Sequence, residues 1–474
     1  MNKKMILYII GWVLKVMCPI MLMPCIPAIL FQEDTLFAFI FPAILCLVVG
    51  SIISYKKPDN RKFYTHDGYI TVVLVWFVLC SVGALPYLLS GEIPNLTNAL
   101  FETVSGFTTT GSSILQNVEE LSKSMLFWRS FSHWIGGMGV LIFVLLFLPS
   151  DEGSSIHIMR AESTGPVVGK LVPHIKKTAF ILYIIYLFLT LSQMVILAIA
   201  GLPLFDAFCL SFATAGTGGF SIYNDSMISM PSYILNITSI FLLLFGINFS
   251  VYYLMLLRKF KEIIQLEELR HYFIFVLVSV ILIILNTYHL FSNLYLTFTH
   301  GFFQVVSMIT TTAFISADYQ LWPIFCQTIL LLLAIIGACS GSATGGFKIS
   351  RFLILVRRAG NELSRYIHPN QIKKVKLNRK PMNQNQLNSV NIYLTLYICI
   401  FLGSVLLISL GNTKQGDYFS IVISSLSNTG TITSEGSYFF YNSFTKIILM
   451  FDMIAGRVEL VPILLLFHPK TWKK

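Results

Sequence analysis

The sequence predicts an all-α polytopic membrane protein in which an N-terminal two-helix hairpin precedes four pseudo-symmetric repeats. Of its 474 residues, 55% are hydrophobic and only 12% are charged, which is too apolar for an ordinary soluble protein. Ten apolar runs approach the ~20 residues that a helix needs to cross a hydrocarbon core about 30 Å thick. Four of the loops between these runs carry related stretches that contain threonine, and three of these stretches end in glycine. The predicted spans are 6–30, 36–54, 68–90, 126–148, 178–200, 232–257, 272–291, 322–356 (interrupted), 389–410 and 444–467.

The N-terminus and the distribution of positive charge predict how the spans are oriented. The apolar run after Lys4 is too long for a signal-peptide core and lacks a small-residue cleavage site, so we expect a first span there. When the loops are assigned alternately to the two sides, most of the 33 lysines and arginines fall on one side. This asymmetry predicts that both termini are cytoplasmic.

The same basic loops leave open contact with anionic membrane lipid or with a partner protein. Because the net charge of +11 is spread over these loops, it does not indicate a nucleic-acid partner. The 22 acidic residues are scattered, and neither an HExxH motif nor a CxxC pair occurs. We therefore interpret the eight cysteines as small core residues rather than disulfide or metal ligands. We expect no enzymatic activity and no bound cofactor.

Four short stretches, each between two apolar runs, resemble one another. They are 105–111, 212–218, 307–313 and 424–430, within re-entrant regions predicted at 97–115, 204–222, 296–318 and 416–434 on the outer side. Non-helical backbone at membrane depth is tolerated only where it is buried in protein or lines a watery cavity. Four copies in one chain can enclose one axis, which predicts helix–pore-loop–helix repeats around one pore. The predicted domains are the hairpin at 1–60 and repeats at 61–158, 159–262, 263–380 (with a broken last helix) and 381–474.

The residue types in these stretches indicate a cation site. Backbone carbonyls can replace the water around a potassium ion without a full negative charge, so the ion binds and can leave. Glycine permits the positive φ that turns successive carbonyls toward one axis, and the preceding short helix points its negative dipole end at the ion. We predict that K⁺ binds at a filter formed by Thr109, Thr110, Gly111, Gly216, Thr217, Gly218, Thr311, Thr312, Ala313, Asn428, Thr429 and Gly430.

The third stretch departs from the others at its last residue. It has Ala313 where the other three stretches have Gly111, Gly218 and Gly430. A left-handed residue with a Cβ costs about 1 kcal/mol or more. We therefore expect either a different loop in this repeat or a poorly aimed carbonyl, and a less strict filter.

The eighth span is interrupted by ten small residues, 337–346. Each glycine there disfavours helix by about 1 kcal/mol relative to alanine, although the apolar length on both sides demands a crossing. We expect a broken helix with a loop beneath the filter that acts as a gate; close helix packing through small residues is the alternative. The predicted gate residues are Gly337, Ser340, Gly341, Ser342, Gly345 and Gly346.

Two further polar residues lie within predicted spans. Burying Arg457 in lipid costs at least a few kcal/mol, so we predict that it faces the pathway and acts as a barrier to cations. The alternative is an ion pair with Asp452 or Glu459. For His133, we favour a packing role over proton relay.

Across nearly the whole chain, the sequence resembles the TrkH/KtrB family of potassium-uptake proteins, and its N-terminal hairpin is similar to the TrkH branch. The resemblance is carried by 101–113, 128–139, 212–221, 340–348 and 456–459. It implies a homodimer with one pore per subunit and a cytoplasmic ring of nucleotide-binding regulatory subunits of the TrkA/KtrA type. It also implies the filter assigned above, an intramembrane gating loop at 337–347, and a pore arginine at Arg457.

The predicted function is potassium uptake through a gated, channel-like pore, driven by an inside-negative potential worth about 2.3 kcal/mol per 100 mV for each charge. Two alternatives remain open at this point: symport of K⁺ coupled to Na⁺ or H⁺, and a pore that selects weakly between K⁺ and Na⁺.

Overall fold

The computed structural model describes residues 2–59, 63–139, 175–369, 373–411, 417–430 and 437–472. The described chain is helical apart from turns, loops and one antiparallel pair of two-residue strands, β1 (Lys376–Leu377) and β2 (Lys380–Pro381). The second part of the predicted span 126–148 and the boundary predicted at 158–159 lie outside the described residues, as does part of the predicted re-entrant region 416–434.

The N-terminal hairpin comprises α1 (Lys3–Leu22), α2 (Cys25–Leu30) and α3 (Leu36–Ile53). Helices α1 and α3 pack closely through Gly11 and Gly50. A Cβ built on Gly50 would lie 2.7 Å from the carbonyl oxygen of Gly11, so the hairpin needs glycine there for its helices to touch.

Within each of the four predicted repeats, as far as the structure describes them, a long helix precedes a shorter helix and its loop, and one or more further helices follow. Repeat 1 contains α4 (Thr65–Gly83), α5 (Leu85–Ser90), α6 (Leu96–Phe107) and α7 (Lys123–Gly137). Repeat 2 contains α8 (Ile175–Ile199), α9 (Leu204–Gly216), α10 (Ser232–Phe245), α11 (Phe249–Leu256) and α12 (Phe260–Ile264). Repeat 3 contains α13 (Glu267–Thr287), α14 (Leu294–Ile309), α15 (Ile324–Ile336) and α16 (Ile349–Ile367). Repeat 4 contains α17 (Gln384–Gly411), α18 (Tyr418–Ser427), α19 (Ser443–Val458), α20 (Leu460–Phe467) and α21 (Pro469–Trp472).

Six helical segments of the described chain are long and apolar enough to span a membrane, and one bent helix pair raises the number to seven. They are Lys3–Leu30, Leu36–Ile53, Thr65–Ser90, Lys177–Ile199, Glu267–Thr287 and Gln384–Gly411, with Ser232–Phe245 and Phe249–Leu256 as the bent pair. The predicted interruption of span 322–356 is confirmed, because α15 and α16 are separate helices.

The prediction that spans 232–257 and 444–467 are continuous is wrong. Helices α10 and α11 meet at 87°, because the Asn248 side chain accepts a hydrogen bond from the Ser250 N–H at 2.8 Å and starts a new helix. Helices α19 and α20 are separated at Glu459, whose φ of +71° lies outside the helical region. In 232–257 the surrounding apolar residues hid the break, whereas in 444–467 the polar residues Arg457 and Glu459 were the available signal for it.

The four short helices α6, α9, α14 and α18 pack in a cyclic order. Each contacts the α-helix that follows its own loop and the corresponding α-helix of the preceding repeat. Thus α9 contacts α7, α14 contacts α10, α18 contacts α15, and α6 closes the cycle against α19 of repeat 4. The four loops that follow these helices are thereby brought to one central place.

Candidate ion-conducting site

All four loops have the same backbone path. Each has two residues with positive φ, separated by one residue whose N–H bonds back to the carbonyl five residues earlier. The positive-φ pairs are Thr109 and Gly111, Thr217 and Gly219, Thr311 and Ala313, and Asn428 and Gly430. The middle bonds are Thr110 to Ser105 (2.9 Å), Gly218 to Ala213 (3.0 Å), Thr312 to Ser307 (2.8 Å) and Thr429 to Ser424 (2.9 Å).

This shared path corrects the sequence alignment in repeat 2 by one residue. Gly219, with φ +80°, takes the position of Gly111, with φ +82°, whereas Gly218 corresponds to the middle residue Thr110. Helix α9 runs to Gly216, so the first left-handed residue is Thr217. The predicted set omitted Gly219, and the second glycine of the Gly218–Gly219 pair was the available signal for it.

Of the two alternatives expected for repeat 3, a different loop or a poorly aimed carbonyl, the different loop does not occur. Its φ is +56°, in the left-handed region that the corresponding glycines also occupy. Its neighbour Thr312 keeps the bond to the Ser307 carbonyl, at 2.8 Å. The strain of a Cβ at this position, about 1–2 kcal/mol, is therefore borne by an otherwise unchanged loop.

The loops contact one another in the same cyclic order as the helices. A Cβ built on Gly111 would lie 1.9 Å from the Gly218 carbonyl oxygen, and one on Gly219 would lie 1.8 Å from that of Thr312. A Cβ on Gly430 would lie 2.6 Å from the Thr110 carbonyl oxygen and 3.4 Å from the Ala313 Cβ. Each repeat therefore meets the next at the level of the predicted filter, and repeat 4 meets repeat 1.

Side chains add a further bond across the junction of repeats 4 and 1. The Asn428 amide nitrogen donates to the Thr110 hydroxyl at 2.9 Å and to the Met453 carbonyl at 2.8 Å. Its Oδ1 and the Thr109 hydroxyl are buried without a protein hydrogen-bond partner in the described chain. Within the same residues, no group of three His, Cys, Asp or Glu side chains could hold a metal ion, so the oxygen donors at this place are carbonyls, hydroxyls and one amide.

A buried ion pair supports the chain segments that follow the loops of repeats 1 and 2. The Arg129 Nε donates to Glu102 Oε1 at 2.8 Å, with both side chains at most 2% exposed. Arg129 also donates to the Ser221 carbonyl at 3.1 Å, and Glu102 accepts from the Ile114 N–H at 3.0 Å. The ion pair thus links the chain segment that follows the loop of repeat 1 to the segment that follows the loop of repeat 2. Sequence reasoning missed it; the signal was an acidic residue in a short apolar helix.

His133 lies between the loops of repeats 1 and 2 and is fully buried. Its Nδ1 is 2.7 Å from the Gly106 carbonyl oxygen, and its Nε2 is 3.2 Å from the Phe220 amide nitrogen. Because a carbonyl can only accept and an N–H can only donate, the ring is the neutral tautomer protonated at Nδ1. Both ring nitrogens are engaged with backbone, as expected of a packing residue.

The interrupting segment between α15 and α16 lies directly against two of the loops. The Gly345 N–H donates to the Thr311 hydroxyl at 2.7 Å, and the Gly346 N–H donates to the Ser427 carbonyl at 2.8 Å. Its ends are close together, since a Cβ on Gly346 would lie 2.7 Å from the Gly337 Cα. The alternative of close packing between helices does not apply, because 337–348 is not helical.

A carboxylate from α13 holds this segment to the first turn of α16. Glu268 accepts from the Ser340 N–H at 2.7 Å and from the Ser350 N–H at 3.2 Å, while the hydroxyls of the two serines bond to each other. Further along, the Gly341 carbonyl accepts from the Phe249 N–H at 3.1 Å. The predicted gate residues are therefore held together in one small structure fastened to repeats 2 and 3.

Arg457 joins this segment to repeat 1. Its guanidinium donates to the Ala343 carbonyl at 2.9 Å, to the Gly137 carbonyl at 2.8 Å, and to the Gly136 carbonyl. Of the two alternative partners, Glu459 forms an ion pair with Arg351, and Asp452 accepts from Ser404 at 2.8 Å. The arginine thus fastens the segment as well as adding positive charge beneath the loops.

All eight cysteines are free thiols. Six are buried and Cys18 is partly buried, in line with the interpretation as small core residues, whereas Cys399 is exposed on α17 and is not a core residue.

The fold and the four matched loops define a class of protein: polytopic membrane proteins that arrange four short helices and their loops around one axis. Within this class, the chain belongs to the TrkH family, whose model is described as a cation transport protein and matches residues 36–474. The chain is 33% identical to the Trk system potassium uptake protein TrkH of Escherichia coli K12 over all of both chains. It is 31% identical to TrkG of the same organism over 96% of this chain and 95% of that one.

A solved structure shows the same fold. The crystal structure of the potassium transporter TrkH from Vibrio parahaemolyticus superimposes with a TM-score of 0.90 at 30% identity, covering all of both chains.

Proposed function

We propose that this chain takes up K⁺ through a gated, channel-like pore whose selectivity filter is the ring of four loops. The observation that carries the proposal is the contact of these loops in cyclic order, which directs four equivalent stretches of backbone to one axis. The relatives compared above are named potassium uptake proteins or a potassium transporter. The filter then comprises residues 109–111, 217–219, 311–313 and 428–430.

In this proposal K⁺ is the transported ion rather than a resident cofactor. It exchanges water for loop carbonyls, which bind it without a full charge and let it leave. The chain is a transporter and performs no enzymatic reaction. Uptake follows the inside-negative potential.

The test is ⁸⁶Rb⁺ flux into proteoliposomes with and without competing Na⁺. We expect Thr110→Val and Thr429→Val to lower the preference for Rb⁺ over Na⁺, because each removes a buried hydroxyl that bonds within the ring. Thr71→Val is the matched control, since this threonine is equally buried in α4 and bonds only to its own helix, at the Asp67 carbonyl. Unchanged discrimination in both filter variants would remove the assignment.

The same preparation separates a channel from a symporter. A current that reverses at the K⁺ equilibrium potential, and does not shift with Na⁺ or pH gradients, excludes fixed coupling to either ion. A reversal potential that follows one of those gradients would support coupled transport instead.

We further propose that residues 337–347 form the gate and that Arg457 holds it closed as a barrier below the filter. The segment bonds to Thr311 and Ser427 above it and to Arg457 beside it. We expect deletion of 342–343 to raise basal flux, because the blocking backbone is shortened. A variant that is folded but has unchanged flux would count against the gate.

The assembly belongs to the same proposal: a homodimer in the bacterial inner membrane, with both termini and the regulatory nucleotide-binding subunits on the cytoplasmic side. The name Trk system, which the relatives carry, suits a transporter with further subunits. The division at residues 60, 158, 262 and 380 remains a prediction. A particle mass of one subunit in detergent, corrected for bound lipid, would contradict the dimer.

A further inference from the structure

Repeat 2 lacks a pair of hydroxyls that holds the loop in the other three repeats. In those repeats the residues on either side of the first left-handed residue bond through their side chains: Thr108 with Thr110 (2.8 Å), Thr310 with Thr312 (2.9 Å), and Ser427 with Thr429 (2.6 Å). The first hydroxyl of each pair also bonds to its own short helix at 2.7 Å. In repeat 2 both positions are glycine, Gly216 and Gly218.

The imidazole of His133 occupies the space that the missing side chain would fill. A Cβ built on Gly218 would lie 2.3 Å from the ring carbon Cγ, and one on Gly216 would lie 2.2 Å from the His133 carbonyl oxygen. Gly219, but not Gly218, has a positive φ. Gly218 is therefore required for space beside the ring and not for its backbone conformation.

The ring also forms a bond to the loop of repeat 2. Its Nε2 accepts the Phe220 N–H, immediately after the left-handed Gly219, and the Phe220 side chain packs on the ring at a centroid distance of 4.2 Å. The other nitrogen is fixed on the Gly106 carbonyl at the end of α6. The ring is thus anchored on repeat 1 and holds the backbone of repeat 2.

We propose that His133 is a specificity-determining positioning residue: a side chain of repeat 1 that replaces the hydroxyl pair of repeat 2 and fixes the filter carbonyls of residues 217–219. The proposal rests on the filter function stated above. It requires that the neutral ring acts through its bond to Phe220 and through the space it fills, without contact with the ion.

The first test compares two amides of similar polarity. An asparagine places its amide near the position of Nδ1 and keeps a donor for Gly106, whereas a glutamine reaches the position of Nε2 and keeps an acceptor for Phe220. We expect His133→Gln to keep the Rb⁺-over-Na⁺ flux ratio within about twofold and His133→Asn to lower it about tenfold, the scale of one lost hydrogen bond. Equal ratios in the two variants, or a better ratio with asparagine, would overturn the proposal.

The second test fills the space beside the ring with the middle side chain of the other repeats, while Gly216 stays glycine. His133→Ala empties the space, and Gly218→Thr adds the side chain that occupies the middle position elsewhere. We expect each single variant to lose discrimination, the second because its Cβ collides with the ring, and the double variant to recover part of it through the space that is filled again. A double variant no better than His133→Ala, although both purify as monodisperse protein, would overturn the proposal.

A filter control separates this inference from the proposed function. Thr312→Val alters a hydroxyl pair in repeat 3, far along the chain from His133. If Thr312→Val lowers discrimination while no His133 variant does, the filter stands and the role of His133 falls. If neither Thr312→Val nor any His133 variant changes the Rb⁺-over-Na⁺ ratio, the filter assignment itself falls.

Discussion

Replacing Gly219 by alanine tests the corrected register of repeat 2 most directly. The new Cβ would lie 1.8 Å from the Thr312 carbonyl oxygen, well inside van der Waals contact. The residue must also keep φ +80°. Left-handed strain costs about 1–2 kcal/mol, and overpacking of a tight site typically costs about 1–3 kcal/mol. We therefore expect a loss of about 2–5 kcal/mol in stability, together with displacement of the Thr312 carbonyl.

Gly91→Ala is the matched control for this variant. Gly91 has φ +77°, close to that of Gly219, but a Cβ built on it meets nothing within 4 Å. The control therefore carries the backbone strain of about 1–2 kcal/mol without the collision. The difference between the two variants isolates the contact between the loops of repeats 2 and 3.

The assay is thermal unfolding of the detergent-purified protein, followed by ⁸⁶Rb⁺ flux in proteoliposomes. We expect Gly219→Ala to melt well below Gly91→Ala and to lose most of its flux, whereas Gly91→Ala keeps flux. Equal melting temperatures and equal flux in the two variants would refute the close approach of these loops, and with it the assignment of Gly219 to the ring.

Three further outcomes are expected. Ala313→Gly should leave the Rb⁺-over-Na⁺ ratio within about twofold, because the loop of repeat 3 already has the shared path; a large gain in discrimination would show that the Cβ misdirects the carbonyl. Arg457→Gln should raise basal flux, because three carbonyl contacts with the 337–347 segment and repeat 1 are lost, and flux unchanged from wild type would contradict the role of the arginine in closure. Glu102→Leu and Arg129→Met should each destabilise by about 3–5 kcal/mol, since each leaves a buried charge, while the double variant should recover part of this loss; strictly additive losses in thermal unfolding would argue against a coupled pair.

Much of the architecture follows from short-range sequence patterns. Apolar runs locate the long helices, and the four related threonine-containing stretches locate the four loops. For example, α6 occupies Leu96–Phe107 at the start of the region predicted at 97–115. The interruption at 337–346 is equally visible, because ten small residues in succession cannot sustain a helix in competition with loop structure. These features depend on residues that are neighbours in the chain.

The register of repeat 2 could not be read from the sequence in the same way. The run from Thr214 to Gly219 contains three glycines and can be aligned with Thr108–Gly111 in more than one frame. The frame is decided by where α9 ends, at Gly216, and by the space that His133 leaves beside Gly218. The second of these is a tertiary contact across 85 residues, and the local pattern does not contain it.

The helix breaks and the buried polar contacts were missed for a related reason. The apolar run over 232–257 continues through the bend, and only the cap at Asn248 and the contact of Gly246 with the Tyr272 hydroxyl show why the chain turns there. Likewise, the pairing of Glu102 with Arg129 joins residues on two different helices. Composition tells which residues are costly to bury, whereas the partner that offsets the cost is set by the fold.

The four loops share a backbone path although the side chains that hold it differ. Repeats 1 and 3 use a threonine pair, repeat 4 uses serine with threonine, and repeat 2 uses glycines beside an imidazole supplied by its neighbour. A ring of four identical subunits would have to use one solution four times. In a single chain each loop can be held by different side chains, provided that the carbonyls reach the same positions. The common requirement is therefore the pair of left-handed residues around one middle residue, and Ala313 shows that an alanine can take the second of these positions.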